Sequence, residues 1–306
     1  MKMEVTFLGT SAGVPTRERN VSALALRPMQ SANWTLFDCG EATQHQILRS
    51  SLSLFRLERI FITHLHGDHI YGIFGLLASR GMLMCDAPLE ICGPPGLEEM
   101  VTTVRRLSQL NLPYALTIRE LQPGEILEFG RHRIEVVALS HSITSYGYCW
   151  IEAERPGTFD PQKARRLGIP EGPLYGRLQR GESIRIEGRL IPPDAVTGPA
   201  RPGRRLAIAG DNDRPELFAP CTPRDLLIHE ATYLQKDFDA LPRKFKHTTA
   251  LQLGVAAARM GVRRLVATHF SPRYGTTERM EEIRREIRKH YQGELILAED
   301  FLTLKI

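Results

Sequence analysis

"FITHLHGDHIYG", residues 61–72, places three of the chain's ten histidines within six positions, directly after an apolar run. Because the block follows a predicted strand, His64 and His66 can project to one side of an extended turn. Asp68 and His69, at the start of the next predicted helix, can face the position of a second metal ion. Imidazole nitrogen and carboxylate oxygen are donors that zinc accepts. We therefore interpret the block as part of a metal site rather than as a polar surface loop.

Strand-like runs elsewhere in the chain also end in polar residues. The runs are "LFDCG", "VVALSH", "LAIAGD", "LLIHEA" and "LVATH", and the polar residues at their ends are Asp38, His141, Asp211, Glu230 and His269. In α/β sheets the turns that follow the carboxyl ends of strands collect around a shared crevice. The recurrence therefore predicts that these side chains meet the histidine block at one site.

The combined set offers donors for two metal ions. The block supplies too few ligands for two ions, and His141, Asp211 and His269 would complete the set, with the Asp211 carboxylate bridging. Two ions about 3.5–4 Å apart can stabilise both the attacking and the leaving oxygen of a displacement at phosphorus. We expect Asp38 to orient a ligand histidine through its other ring nitrogen. The donors suit zinc and also manganese, so both metals remain open.

The fold class follows from the alternation of elements. Residues 1–150 alternate short β-rich runs with glycine-containing turns, and the alternation resumes after residue 205. Helical patterns lie between the runs, among them "IYGIFGLLASRG", "TTALQLGVAAARMG" and "TERMEEIRREIRKH". This mixture predicts a layered α/β architecture in which both halves of the chain contribute a sheet.

The intervening segment, residues 155–205, has a different composition. It holds eleven basic and five acidic residues, a net charge of +6, together with eight prolines and eight glycines. Sparse apolar residues and dense helix and strand breakers predict that it packs no core of its own. We interpret the segment as a protruding, flexible basic arm, with a basic linker as the alternative.

Bulk composition excludes several classes of protein. The 306 residues are 42% hydrophobic and 25% charged, as in ordinary soluble globular proteins. No apolar run is long enough for a signal peptide or a membrane span, which predicts a cytoplasmic protein without a membrane partner. The five cysteines are odd in number and include no CxxC pair, which argues against a disulfide framework and fits a reducing compartment.

The histidine block, together with His141, Asp211 and His269, resembles the metal site of the metallo-β-lactamase superfamily. Within that superfamily the chain is similar from end to end to the short form of the ribonuclease Z family. The shared segments are "GTSAGVPTRERN", "FDCGEATQ", "HEAT", "HTT" and "THFSPRY", and in the arm "GIPEGPLYGRLQRGE" and "IPPDAVTGPARPGR". Arg17 stands where that family usually has lysine, and "GDNDRP" replaces its "GDTRP".

The resemblance implies a fold and an activity. The fold would be a four-layer αββα sandwich, a single domain of residues 1–306 into which the arm of residues 155–205 is inserted as a tRNA exosite. The activity would be that of a zinc-dependent endoribonuclease that removes the 3′ trailer of precursor tRNA. Its products would be a tRNA 3′-hydroxyl and a 5′-phosphorylated trailer. Two zinc ions per subunit and a homodimer are also implied.

The resemblance also assigns roles to single residues. One ion would be bound by His64, His66, His141 and Asp211, and the other by Asp68, His69, Asp211 and His269. Asp68 would also accept the proton of the attacking water. His247, oriented by Glu230, suits the donation of a proton to the leaving oxygen. Contacts with substrate are expected from Arg17, Arg19, Asn20, Thr249 and Arg273.

Three other functions compete with this interpretation. A dinuclear hydrolase of small phosphodiesters or esters would need no basic arm. An oxidoreductase of the flavodiiron type normally has glutamate in place of the second histidine, and His66 argues against it. A non-catalytic RNA-binding protein would have no use for a complete set of metal ligands.

Overall fold

The computed structural model describes residues 3–154 and 157–306. Two seven-stranded sheets make up most of it. The first has the order β16-β1-β2-β3-β4-β5-β6, with β1 (Met3–Gly9), β2 (Ala23–Pro28), β3 (Trp34–Phe37), β4 (Leu57–Phe61), β5 (Leu89–Gly93), β6 (Leu116–Glu120) and β16 (Thr303–Lys305). The second has the order β15-β14-β13-β12-β9-β8-β7, with β7 (Ile126–Phe129), β8 (His132–Leu139), β9 (Ser145–Glu152), β12 (Arg205–Ile208), β13 (Leu226–Glu230), β14 (Arg264–Thr268) and β15 (Glu294–Leu297).

Nine helices lie between the strands along the described chain. They are α1 (Thr43–Leu48), α2 (Gly67–Ile70), α3 (Gly72–Met82), α4 (Leu97–Leu107), α5 (Pro161–Arg166), α6 (Pro173–Gln179), α7 (Gln235–Asp239), α8 (Ala250–Arg259) and α9 (Thr277–Arg288). Short 3₁₀ turns occupy Leu54–Arg56, Pro193–Ala195, Pro215–Cys221 and Pro272–Tyr274. Helices α1 and α4 contact the first sheet, and α3 packs against these two helices. Helices α8 and α9 contact the second sheet. The predicted four-layer αββα sandwich is therefore confirmed.

Aromatic side chains join the two sheets. The ring of Phe61 in β4 lies 5.0 Å from the ring of Tyr148 in β9, and Phe37 in β3 stacks on Phe61 at 5.3 Å. The hydroxyl of Tyr148 donates to the carbonyl of Ile62 at 2.6 Å. Burial of such rings removes a large apolar area from water. Strand β9 was not predicted from the sequence, because its eight buried residues, "SYGYCWIE", show no alternation of polar and apolar positions.

Parallel pairing brings the ends of several strands to a common edge. In the first sheet β3, β4, β5 and β6 pair in parallel, and in the second β12, β13, β14 and β15 do so. The carboxyl ends of parallel neighbours necessarily point the same way. The polar residues that end or follow β3 and β4, and those that end or follow β12, β13 and β14, therefore lie at one edge of their own sheet, as predicted.

The predicted arm folds into elements of its own. A second compact unit comprises residues 128–133 and 151–204, and Arg155 and Pro156, at the start of the predicted arm, lie outside the described residues. It contains α5, α6 and an antiparallel hairpin of β10 (Ile184–Ile186) and β11 (Arg189–Ile191). The prediction that this segment packs no core is wrong. A buried cluster is formed by Ala164, Ile169, Leu178, Ile184, Ile191 and Val196.

The breakers of the arm begin its helices rather than prevent them. Pro161 is the first residue of α5 and Pro173 is the first residue of α6. Proline suits this position because its missing N–H would have no partner within the helix. The Asp160 side chain accepts hydrogen bonds from the first turn of α5. Composition therefore gave a misleading picture of this segment.

Cysteine pairing also departs from expectation. Cys149 in β9 and Cys221, at the end of a 3₁₀ turn, form a disulfide, although 72 residues separate them. Cys39, Cys85 and Cys92 are free and buried. The sequence argued against a disulfide framework, and for this one pair the structure corrects it. Among the described residues, no helix combines the length and apolar character needed to cross a membrane.

Candidate metal centre

The histidine block lies between β4 and α3. His64 follows β4, His66 is the N-cap of α2, and Asp68 and His69 lie within that short helix. The four side chains therefore leave the chain within one turn, in different directions. His269 follows β14 with φ +55°, a backbone conformation that few residues other than glycine adopt.

Four ligand atoms converge in a first donor group. The Nδ1 atom of His66 lies 3.1 Å from Nε2 of His64 and 3.2 Å from Nε2 of His141. The Oδ2 atom of Asp211 lies 3.7 Å from Nε2 of His64 and 3.9 Å from Nε2 of His141. These atoms are all within 4.8 Å of one another, the spacing of ligands around one ion.

A second donor group lies next to the first. The Nε2 atoms of His69 and His269 are 3.3 Å apart, and Oδ2 of Asp68 lies 3.5 Å from the former and 3.3 Å from the latter. The Oδ1 atom of Asp211 lies 3.4 Å from Nε2 of His69 and 3.3 Å from Nε2 of His269. Asp211 thus presents one carboxylate oxygen to each group, as a bridging ligand would.

Hydrogen bonds to Nδ1 orient the histidines that face the site through Nε2. His69 donates to Oδ2 of Asp38 at 2.7 Å, and His141 donates to the carbonyl of Lys246 at 2.9 Å. The Thr63 hydroxyl donates to Asp38 at 3.0 Å and therefore accepts from Nδ1 of His64, also at 3.0 Å. An acceptor at Nδ1 fixes the tautomer that leaves Nε2 free to bind a metal.

The same relay operates at His269 of the second donor group. The Thr232 hydroxyl donates to Oε2 of Glu230 and accepts from Nδ1 of His269 at 3.1 Å. Oε1 of Glu230 accepts from the amide of Asn212 at 2.6 Å. The carboxylate of Glu230 therefore links the loop that carries Asp211 to the second donor group.

His247 lies at the edge of this network. Its Nδ1 is 3.1 Å from Oε2 of Glu230 and 3.7 Å from Oδ2 of Asp211. Burial disfavours the charged imidazolium, but Glu230 and then Asp211 outweigh burial and raise the pKa of His247 to about 9. A protonated His247 near the donor groups can give a proton to an oxygen bound there.

The electrostatics of the donor groups favour a cation. Burial, reinforced by the neighbouring His69, holds the pKa of His64 well below its ordinary value, so this imidazole is neutral, the form that binds metal. Burial also opposes the charged form of His69, yet Asp211, Asp68 and Asp38 raise its pKa well above the ordinary value. The buried carboxylates of Asp38 and Asp211 and the partly buried one of Asp68 thus stabilise positive charge at this point. The donor set therefore fits divalent cations.

The residues expected to contact substrate differ in their surroundings. Arg17 and Arg273 are exposed, and the guanidinium of Arg273 lies 5.1 Å over the ring of Tyr233. The guanidinium of Arg19 instead donates inward, to the Thr10 hydroxyl at 2.7 Å and to the Ala298 carbonyl at 2.6 Å. The contacts of Arg19 are therefore those of a structural residue.

Asn20 and Thr249 also have partners within the protein. The side-chain amide of Asn20 donates to the carbonyl of Glu41 at 2.8 Å. Thr249 is fully buried and forms a capping box with Gln252 at the start of α8, while its hydroxyl donates to Gln235 at 2.8 Å. The structure thus gives Thr249 a helix-capping role, with no surface to offer a substrate.

Sequence reasoning overlooked several residues that shape the site. Thr63 and Thr232 relay hydrogen bonds to histidines of the donor groups, and the backbone carbonyl of Lys246 accepts from His141. Thr63 directly precedes His64 in "THLH", and Thr232 lies two residues after Glu230 in "HEAT". A hydroxyl beside a ligand is a usable signal, whereas a backbone acceptor leaves none in a sequence.

Comparison with known proteins gives relatives over nearly the whole chain. Ribonuclease Z of Cyanothece sp. (strain PCC 7425 / ATCC 29141) is 45% identical over 99% of this chain and 96% of its own. Ribonuclease Z of Brevibacillus brevis is 42% identical over 89% of this chain and 86% of its own. The family profile described as anti-Pycsar protein Apyc1 matches residues 3–152.

Solved structures share the same architecture. The short form of human tRNase Z is 28% identical, with a TM-score of 0.69 over 98% of each chain. The metallo-β-lactamase fold protein YhfI of Bacillus subtilis has a TM-score of 0.68 over the whole of both chains at 18% identity. The latter likeness concerns the fold alone.

Proposed function

The chain belongs to the ribonuclease Z family, and on that premise we propose that it is a zinc-dependent endoribonuclease that removes the 3′ trailer of precursor tRNA. The products would be a tRNA 3′-hydroxyl and a 5′-phosphorylated trailer. One observation carries the proposal: Asp211 divides its two carboxylate oxygens between adjacent donor groups. Such a pair of sites suits the displacement of one oxygen by another at phosphorus.

The first cation would be held by His64, His66, His141 and Asp211, and the second by Asp68, His69, His269 and Asp211. Zinc is proposed because imidazole and carboxylate are its usual ligands, and manganese is the alternative. When bound, the cations would polarise the phosphate and lower the pKa of water.

Asp68 is proposed to accept the proton of the attacking water. Burial opposes its ionisation, but His69 and His269 hold the pKa of this carboxyl far below its ordinary value, so Asp68 is ionised. Oδ2 of Asp68 also accepts from the amide of Gly13 at 2.8 Å, which fixes its direction. A carboxylate that is ionised and held in one direction at the cleft supports this proposal.

His247 is proposed to donate the proton that the leaving 3′-oxygen needs. Because its Nδ1 donates to Glu230, the opposite ring nitrogen remains available to the substrate. The raised pKa of His247 keeps the imidazole protonated at neutral pH. A positioned acid of this kind contributes typically about 10²–10⁴-fold to a rate.

The arm of residues 155–205 is proposed as the exosite for tRNA. Its net charge of +6 attracts the phosphate backbone. Side chains that point outward from its small core include Lys163, Arg166, Arg185 and Arg189, all exposed. We also propose a cytoplasmic homodimer, in which the arm of one subunit could serve the active site of the other, and light scattering would measure that assembly.

A combined metal and cleavage analysis tests the function. Elemental analysis of the purified protein is expected to find about two metal ions per chain. A precursor tRNA with a 3′ trailer should be cut once, and end-labelling should show a 3′-hydroxyl on the tRNA and a 5′-phosphate on the trailer. If the protein hydrolysed only small phosphodiesters or esters and left the precursor intact, the simpler dinuclear hydrolase would be the correct assignment.

A further inference from the structure

Four consecutive exposed residues, Arg243, Lys244, Phe245 and Lys246, lie between α7 and His247. We name this segment the rim loop. Three of its side chains are cationic and one is aromatic, and the Phe245 side chain is 48% exposed. A single exposed apolar side chain is ordinary on a protein surface, but this ring lies among cations beside the candidate metal ligands, a combination that suits a flat ligand that carries negative charge.

The rim loop lines the same cleft as the metal ligands. The cleft has a volume of about 330 Å³, which is at the lower end of the range of pockets that hold small organic ligands. Its wall includes His66, His141 and Asp211 on one side and the four residues of the rim loop on another. The space therefore extends well beyond the cations and a single phosphate.

Internal contacts hold the rim loop in place. The ammonium of Lys244 donates to the carbonyls of Phe238 and Asp239, the latter at 2.7 Å, and lies 5.0 Å over the Phe238 ring. The amide of His247 donates to the carbonyl of Phe245 at 2.9 Å. The Lys246 carbonyl accepts from the ligand His141. A loop fixed at both ends loses little conformational entropy when a ligand binds.

The free groups of the loop fit an unpaired nucleotide. Among the described residues, the Lys246 ammonium has no ion-pair or hydrogen-bond partner, and the Arg243 guanidinium lies 5.9 Å from the Phe245 ring. Aromatic faces flanked by cations are how proteins bind single-stranded nucleic acid without reading its sequence. A helical substrate could not present a base to such a face, whereas the single-stranded junction of tRNA and trailer can.

We propose that Phe245 stacks on the base of one of the two nucleotides that flank the scissile phosphate, while Arg243 and Lys246 contact the neighbouring backbone. This subsite rests on the proposed function, because it needs a single-stranded RNA substrate at the metal centre. It adds a binding role to the loop that also orients His141. It would position the phosphate between the donor groups and His247.

The test pairs Phe245→Ala with substrates that lack a base. Wild type and variant are assayed on precursor tRNA and on the same RNA with an abasic nucleotide on either side of the cleavage point. Loss of a stacking contact should reduce kcat/KM for the intact precursor by about 5- to 150-fold. The abasic substrate should slow the wild type by a similar factor and should slow Phe245→Ala no further.

Control variants separate stacking from other effects. Phe245→Trp should retain activity, and Phe245→Leu should lose it as alanine does, because leucine has no aromatic face. Phe55→Ala is a matched control, since Phe55 is 47% exposed and does not line the cleft. The proposal is overturned if Phe245→Leu is as active as wild type. It is also overturned if kcat/KM of Phe245→Ala, relative to wild type, is reduced as much on both abasic substrates as on the intact precursor. Wild-type protein that cleaves no precursor at all would instead overturn the function on which the subsite rests.

Discussion

Oδ2 of Asp38 lies 2.7 Å from Nδ1 of His69. The same carboxylate accepts from the amide and hydroxyl of Thr63, at 2.7 and 3.0 Å, and Thr63 in turn accepts from His64. Asp38 therefore orients one histidine of each donor group, directly in one case and through a hydroxyl in the other. A residue outside both donor groups thus couples them.

Asp38→Asn should weaken metal binding in both groups, by about 10–100-fold, the usual effect of losing an orienting partner of a ligand histidine. Asparagine tolerates the φ of +57° at this position, so the backbone is retained. Chelator competition would measure the affinities. Thr63→Val is the matched control and should weaken mainly the first group. Unchanged affinities in Asp38→Asn would contradict the relay.

Bridging by Asp211 predicts an asymmetry among ligand variants. Asp211→Ala should damage both cation sites, whereas His141→Ala and His269→Ala should each damage mainly one. Elemental analysis of the purified variants would give the metal content per chain. Asp213→Asn should keep both ions, because Asp213 belongs to none of the donor groups among the described residues. A wild-type chain with one ion or none would refute the dinuclear site.

Proton donation by His247 predicts a loss of rate without a loss of metal. His247→Ala should retain its cations and its affinity for RNA while cleavage slows by about 10²–10⁴-fold. A substrate with a sulfur leaving group needs less protonation and should recover most of the rate. The role is excluded if this substrate recovers nothing, or if the variant loses metal.

The interaction of Glu230 with His247 determines how the cleavage rate should depend on pH. The carboxylate of Glu230 is the main group that raises the pKa of His247. Removal of its negative charge therefore lowers that pKa. A general acid works only while protonated, so the rate falls as pH rises through its pKa. In Glu230→Gln the alkaline limb of the pH–rate profile should therefore move to lower pH. A limb that stays in place or moves upward would show that His247 is not the titrating acid.

The convergence of the donor side chains could be predicted from the sequence far better than the surroundings of the candidate site. Asp211 and His269 follow parallel neighbours, whose carboxyl ends lie at one edge of the sheet, and His141 likewise follows a strand, so all three could be selected from the sequence. The inward orientation of Arg19 could not, because it depends on Thr10 and on the Ala298 carbonyl, which lies 279 residues away along the chain. Pairing of Cys149 with Cys221 has the same long-range origin.

The core of the arm is a second feature that could not be predicted from the sequence. Residues from Ala164 to Val196 form one cluster, although their spacing follows neither a helical nor a strand period. Two short helices and a hairpin bring them together, and composition gives no sign of that arrangement. Removing residues 168–188 would therefore delete Ile169, Leu178 and Ile184 from this core. Such a deletion would test folding as much as charge.

Substitution of exposed cations tests the exosite without touching the core. Arg185 and Arg189 lie on the hairpin and are exposed, and the double variant to glutamine should weaken binding of precursor tRNA. Each phosphate contact that is lost means that fewer counterions are released when tRNA binds. The slope of log K against log salt concentration should therefore decrease in magnitude by about 0.7–0.9 per residue. Filter binding across a salt series would measure this slope.

Arg56→Gln with Arg259→Gln removes the same charge from exposed positions outside the arm and the cleft. If the arm binds RNA, this control should leave the slope near that of wild type, because net charge alone does not place a phosphate against an arginine. Hydrolysis of a small phosphodiester should be equal in wild type and control, since the donor groups are untouched. Equal slopes for the two double variants would mean that the arm makes no specific contact with tRNA, and substrate binding would then have to come from the cleft and its rim loop.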